Sequence, residues 1–318
     1  MDGDLRVGIV GAGATGGYLA AVLIDAGYEV TLFARSRSAE AIRARGLRLV
    51  QRDGNAIAVK PAAVVEPGDP VDPVDVTIFC VKTYDTEVAA SASAPLAGDH
   101  SAVLCLQNGI ASEDILAGIF GSERLLSGVF YIGAERLQPG LIHCSTAPRI
   151  IFGPYDPAVS STRELWPQLA SLLSAAGVET TIDEDVRQAK WQKFLFNCAL
   201  NPLTALTRQR LGMIRAHPAG RDLYTRLAAE ALEAATAAGA PVPTDALVRV
   251  ESTGDRMDIS SSMAEDLEAG RAMELDAFSG HVLRLAERHG LPAPVTAVVH
   301  QLLEVLDRRR EQPVTGGA

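Results

Sequence analysis

Positive charge is in short supply in this sequence. Lysine and arginine number 29 against 39 aspartates and glutamates, a net charge of −10, and aromatic residues make up only 5%. A nucleic-acid binder needs the reverse, a basic face interleaved with stacking side chains, so no nucleic-acid partner is expected. An anionic small molecule is still accommodated where positive charge gathers locally. Cysteine is as scarce: Cys80, Cys105, Cys144 and Cys198 lie scattered, mostly within apolar runs, with no C-x-x-C pair and no histidine cluster beside them. That pattern offers no metal site and reads as four buried, reduced thiols of a cytosolic protein. The opening MDGDLRVGIVGAG has neither a basic leader nor a long apolar stretch. No signal peptide and no membrane span are expected, and the expected location is cytoplasmic. Internal repeats and low-complexity linkers are also missing, and the terminal RRREQPVTGGA reads as a frayed tail.

At 318 residues the chain exceeds the length over which one hydrophobic core keeps growing, which predicts two domains. The first half alternates β-rich runs with helical patterns, as a parallel sheet with crossover helices requires. RVGIV, EVTLFAR, VDVTIFCVK and SAVLCLQNG read as strands, with a helix in TYDTEVAASASAPLAG between the last two. GLRLVQRDGNAIAVKPAAVV reads as a hairpin about its D-G-N turn, and GLIHCSTAPRIIFG as a later strand pair. From about residue 186 the strand signals stop, and long Ala/Leu/Glu/Arg-rich segments take over, broken by AGAPVPT and HGLPAP. The boundary is expected near VETTIDEDVRQAKW. The apolar faces of the helical half are of a kind that a homodimer buries, although nothing in the sequence forces one.

Gly11, Gly13 and Gly16 stand directly after a strand and open a helix that leads to a second strand. The three glycines serve separate needs: a tight turn, close approach of backbone to a pyrophosphate, and close helix–sheet contact, with the helix N-terminus facing the phosphates. The loop Gly11, Ala12, Gly13, Ala14, Thr15 and Gly16 is therefore a candidate dinucleotide site; a structural glycine turn is the plainer alternative. The second strand ends at Ala34-Arg35, where an NAD enzyme usually carries an acidic residue for the ribose hydroxyls. Arg35 suits a 2′-phosphate instead, unless it is a solvated surface arginine and Arg37 serves in its place. Lys82 in CVKTYD and Asn108 in LQNG close two further strands, and ligands of open α/β sheets bind outside the carboxyl ends of the strands. The expected fold is α/β, with a Rossmann-type dinucleotide-binding domain over 1–185 and an all-helical domain over 186–318.

KWQKFLFNCALNPLTAL, residues 190–206, places Lys193, Asn197 and Asn201 four apart, in one polar stripe on a helix otherwise covered by apolar side chains such as Phe194, Leu195 and Leu200. A helix apolar nearly all round is buried, and a buried ammonium is paired, deprotonated or turned toward a wet cleft. Pro202 removes one donor and is expected to disrupt the helix; local hydrogen bonding around it is the plainer account of the two asparagines. Farther on, SSMAEDLEAGRAMELDAF offers a serine cap followed by Glu265, then a helix carrying Asp266, Gly270 and Glu274 on one inward face. A solvated charged face accounts as well for Glu268 and Arg271, and leaves Glu274 between the two readings.

With these segments in this order, the chain resembles the ketopantoate reductase (2-dehydropantoate 2-reductase) family over nearly its whole length. The glycine loop with its arginine, the VK and QNG strand ends, KWQKFLFNCALNPLTAL and SSMAEDLEAGRAMELDAFSG carry the resemblance, the last two most specifically. It implies that Lys193 is the catalytic lysine and Glu274 the essential glutamate. Asn197, Asn201 and Ser262 would bind substrate, Lys82 and Asn108 would lie beside nicotinamide and substrate, and Arg35 would select NADPH. Two departures bear on the substrate more than on the reaction: Ile259 stands where an asparagine can bind substrate, and AFSG replaces the commoner -ING.

The implied activity is NADPH-dependent reduction of ketopantoate to pantoate in pantothenate biosynthesis. Lys193 would act as general acid toward the developing alkoxide. Asn197 and Asn201 would orient carbonyl and hydroxyl, Ser262 would hold the carboxylate, and Glu274 would accept from the substrate hydroxyl while offsetting the Lys193 charge. Two rivals share the sequence features: an NADPH-dependent reductase of another small 2-oxo acid, and a nonenzymatic NADP-sensing protein on the same fold.

Overall fold

The computed structural model describes residues 5–256 and 258–307; the tail expected to fray lies outside the described residues. Two compact units divide between Arg187 and Gln188.

The N-terminal unit is built on the alternation seen in the sequence. β1 (Val7–Val10) is buried at all four residues, as an interior parallel strand must be. There follow α1 (Ala14–Asp25), β2 (Val30–Phe33), α2 (Ser36–Arg45), β3 (Leu47–Val50), β4 (Ala56–Val59), β5 (Ala63–Val65), β6 (Val74–Phe79), α3 (Thr86–Ser93), β7 (Ala97–Cys105) and α4 (Ala111–Phe120). After these come β8 (Leu125–Tyr131), β9 (Ala134–Gln138), β10 (Leu141–Cys144), β11 (Arg149–Pro154), α5 (Trp166–Ala175) and β12 (Glu179–Ile182).

The main sheet has the order β12-β11-β8-β7-β6-β1-β2-β5. From β5 to β8 every neighbour pair is parallel, and β11 then runs antiparallel to β8. β2 lies on one side of β1 and β6 on the other, so the winding reverses at β1, and a crevice opens outside the carboxyl ends of β1 and β6.

A second sheet, β4-β3-β10-β9, contains the expected hairpin, with β3 and β4 antiparallel and Gly54 at φ 86° in the turn. The strand pair expected in GLIHCSTAPRIIFG is divided between the sheets: β10 pairs with β3 and β9, whereas β11 pairs with β8 and β12. Local alternation marks a strand, but its partner is chosen by distant register. α1 packs against strands of both sheets and is buried continuously from Gly16 to Leu23, which explains a helix with no polar face.

Beyond β12 every regular element among the described residues is helical: α6 (Val186–Thr207), α7 (Leu211–Ala216), α8 (Pro218–Ala237), α9 (Ala246–Arg256), α10 (Ser262–Glu268), α11 (Ser279–Arg288) and α12 (Pro294–Leu306). The disruption expected at Pro202 does not occur, for α6 runs through it to Thr207. One backbone hydrogen bond is lost there, but Leu200, Leu203 and Ala205 are all at most 4% exposed, and that packing holds the turn together.

The anchor of α6 is Phe194. Its ring meets Trp191 edge-on at 5.4 Å, stacks with Phe278 at 6.4 Å and meets His281 of α11 at 5.8 Å. The contacts with Phe278 and His281 join α6 to α11 and the residue just before it. Phe194 is 1% exposed, so Phe194→Ala should lower stability by about 3–5 kcal/mol through lost burial and a residual cavity. Chemical denaturation should show that loss as a lower midpoint.

Candidate active site

The glycine loop follows β1 directly, and each glycine has a distinct steric setting. Gly11 has φ 109°, in the left-handed region, and a Cβ there would meet the Val81 backbone nitrogen at 3.0 Å. A Cβ on Gly16 would lie 1.9 Å from the Gly11 carbonyl oxygen, so no other residue fits. At Gly13, the N-cap of α1, a Cβ would meet nothing within 4 Å, and no side chain caps the helix. Tight turn, close helix packing and an open face before a helix N-terminus are what a pyrophosphate needs. Ala12 is buried while Ala14 and Thr15 are partly exposed.

Other predicted residues gather at the same edge of the sheet. Arg35 follows β2, Lys82 follows β6 as the N-cap of a short 3-10 turn, and Asn108 follows β7, with Lys82 and Asn108 partly buried. Gln107, which opens the QNG strand end without a role of its own expected there, ties two of these loops together. Its Nε2 donates to the Val81 carbonyl at 3.0 Å and to Thr86 Oγ1 at 2.8 Å, so the chains leaving β6 and β7 hold each other in place. Of the four cysteines, all free thiols, Cys105, Cys144 and Cys198 are buried. Cys80, just past the end of β6 and against Gly16, is only partly so.

In the helical unit α6 does carry the predicted stripe. Lys193 is partly exposed, while Asn197 and Asn201 are 8% and 3% exposed. Burial lowers the Lys193 pKa from its ordinary 10.5 to about 7; the nearby charge of Lys190 lowers it too, and Glu274 opposes both. Lys190, one turn earlier and 5% exposed, has no sequence signal that sets it apart from a surface lysine.

Glu274 reaches this neighbourhood by a route other than the one expected. α10 ends at Glu268 and Gly270 takes φ 60°, so Glu274 is not on the helix with Asp266 but on the loop after it, as N-cap of the 3-10 turn Leu275–Ala277. Glycine in the left-handed conformation stops the helix two residues after its last turn. Arg271 then folds back onto Asp266, backbone N to carbonyl at 2.7 Å and Nε to Oδ1 at 2.7 Å, and Glu274 comes out 7% exposed.

The serine cap is Ser261, which accepts from the Ala264 N–H at 3.2 Å and meets Thr204 Oγ1 of α6 at 2.7 Å. Ser262 is the first helical residue and is exposed. Thr204 and Ser261 thus join α6 to α10, a link no spacing rule in the sequence revealed. The Ile259 carbonyl accepts from the Leu211 N–H at 2.8 Å, a structural role for the backbone at the departure position.

A family model described as "Ketopantoate reductase PanE/ApbA" matches residues 7–157, and its C-terminal counterpart matches residues 185–307. The chain belongs to the ketopantoate reductase family. It is 30% identical over 310 residues to the 2-dehydropantoate 2-reductase of Halobacterium salinarum, covering 96% of this chain and 99% of that one. A Mesorhizobium japonicum protein of the same name is 30% identical, with 95% and 98% covered. A solved PanE/ApbA family ketopantoate reductase from Ralstonia eutropha superposes with a TM-score of 0.86 at 30% identity, covering 97% of this chain and all of that one. A D-mandelate dehydrogenase solved with NADH and anilino(oxo)acetate has a TM-score of 0.87 at 20% identity, and shares the fold. Membership makes the chain an oxidoreductase of a nicotinamide-dinucleotide-dependent family. No helix among the described residues is long and apolar enough to cross a membrane.

The electrostatics of Lys193 can be measured in the protein without substrate. Its amine should become half reactive toward reductive methylation near pH 7, since its pKa is lowered to about 7. Removing the opposing carboxylate in Glu274→Gln should move that midpoint down, and removing the like charge in Lys190→Met should move it up. Site-resolved mass spectrometry across pH reads both shifts.

Proposed function

We propose that the protein reduces 2-dehydropantoate to pantoate with NADPH, a step of pantothenate biosynthesis. The observation that carries this reading is the Lys193 ammonium, tuned to about pH 7 on a stripe shared with Asn197 and Asn201 and set against Glu274. The names of the full-length relatives support the choice of substrate. NADPH, when bound, supplies hydride to the ketone carbon.

The Gly11 to Gly16 loop holds the pyrophosphate against the α1 N-terminus, Arg35 takes the 2′-phosphate, and Lys82 and Asn108 flank the nicotinamide and substrate. Lys193 stabilises the negative charge developing on the carbonyl oxygen and donates its proton there; a pKa near ambient pH suits that transfer. Asn197 and Asn201 orient the carbonyl and hydroxyl without adding charge, and Ser262 holds the carboxylate. Glu274 accepts from the substrate hydroxyl and keeps the lysine charged.

Lys193→Ala should reduce turnover by about two to four orders of magnitude while leaving NADPH affinity unchanged, since the lysine acts on the carbonyl and not on the dinucleotide. In the unmutated protein the rate should fall as pH rises above about 7, because the acid form of Lys193 is then lost. Activity of Lys193→Ala within about tenfold of the parent protein, with the fold intact, would remove Lys193 from the role of acid.

Glu274→Ala should weaken a hydroxylated 2-oxo acid much more than one lacking the hydroxyl. Equal losses on both would make Glu274 a fold residue. Ketopantoate should be the best of a panel of 2-oxo acids; a different winner would favour the related-reductase reading, to which the isoleucine at 259 already points.

A further inference from the structure

The edge of the sheet that carries the glycine loop also carries an ion pair. Arg35 leaves β2 and Asp85 closes the 3-10 turn after β6, fifty residues later in the sequence. Nevertheless Arg35 Nη2 donates to Asp85 Oδ2 at 2.7 Å. In the sheet β1 lies between β2 and β6, so the pair spans the end of the strand from which the glycine loop springs. The side chains are 52% and 28% exposed, open to a ligand from outside.

Dinucleotide folds of this kind usually place a carboxylate after the second strand, where it accepts from the adenosine ribose hydroxyls. Here arginine occupies that position, and the carboxylate arrives beside it from the far side of β1. Glu66, a carboxylate that reaches the residue after Arg35, is committed elsewhere. It accepts from the Ser36 N–H at 2.9 Å and pairs with Arg43, which also holds Asp69 at 3.1 Å.

We propose that Asp85 is a specificity-determining residue for the cofactor, accepting from the 2′-hydroxyl of NAD(H) and competing with the 2′-phosphate of NADP(H) for Arg35. An ion pair exposed to this degree contributes little to stability and exchanges readily. A phosphate dianion offers arginine a stronger, bidentate contact, so it displaces the carboxylate. The displaced Asp85 remains a like charge beside the phosphate and weakens its binding. With the hydroxylated ribose of NAD(H), Arg35 and Asp85 stay paired and the second carboxylate oxygen takes the hydroxyl. The inference rests on Arg35 being the 2′-phosphate ligand.

Calorimetric titration of NADP+ and NAD+ into the full chain, without substrate, tests both points. The proteins needed are the parent, Arg35→Ala, Asp85→Ala and Asp85→Asn, each checked by melting temperature. Asp85→Ala should tighten NADP+ and weaken NAD+, each by about fivefold, the size of one hydrogen bond or exposed charge contact. Asp85→Asn removes the charge but keeps an acceptor, so it should tighten NADP+ while retaining most NAD+ affinity.

Arg35→Ala should weaken NADP+ by about tenfold or more and leave NAD+ nearly unchanged. If Arg35→Ala behaves so while Asp85→Ala leaves both affinities within about twofold, Asp85 has no part in the choice and the role of Arg35 stands. If Arg35→Ala leaves NADP+ binding unaltered, the 2′-phosphate reading fails and the proposal falls with it.

Discussion

An ammonium on a helix that is otherwise apolar is the constraint around which the helical unit is arranged. Desolvation favours the neutral amine, and the adjacent Lys190 pushes the same way. Without a nearby carboxylate Lys193 would lose its proton at a lower pH still. Glu274 counters that pressure, and its position depends on a chain of local causes: a left-handed Gly270, the return of Arg271 onto Asp266, and the stacking of Phe278 on Phe194. A pKa of about 7 is the outcome of this balance. It is also the condition under which a lysine can both attract developing negative charge and release a proton.

In the N-terminal unit the corresponding constraint is backbone proximity. A Gly16 Cβ would lie 1.9 Å from the Gly11 carbonyl oxygen, so the first turn of α1 sits directly on the loop leaving β1. That closeness leaves the N-terminus of α1 open in front of Gly13. Gln107 adds a second tie, between the chains leaving β6 and β7. The carboxyl edge of the sheet is thus stiffened by backbone contact and one buried amide, while the charged residues Arg35 and Asp85 remain exposed enough to exchange partners.

Much of this was legible in the chain itself. The spacing of Gly11, Gly13 and Gly16 after an apolar strand marked the parallel sheet and its loop, because the left-handed φ of Gly11 and the contact of Gly16 with the Gly11 carbonyl are set within a few residues. The four-residue spacing of Lys193, Asn197 and Asn201 placed them on one face, because helix geometry is local. Family resemblance supplied the pairing of Lys193 with Glu274, which no periodicity implied.

Tertiary structure decided the rest. Helix continuity through Pro202 required packing at Leu200 and Leu203, which outweighed a local rule about one missing donor. Glu274 left the expected helix because Gly270 ended it, and it is 7% exposed on the loop that follows. β10 and β11 entered different sheets although they are neighbours in sequence. Ser261 and Thr204, like Arg35 and Asp85, meet across gaps of 57 and 50 residues. The sequence determined elements and faces, since those depend on dihedral preferences and side-chain period over a few residues. Which faces, strand partners and charges meet depended on register and packing between distant segments, and that information exists only once the chain has folded.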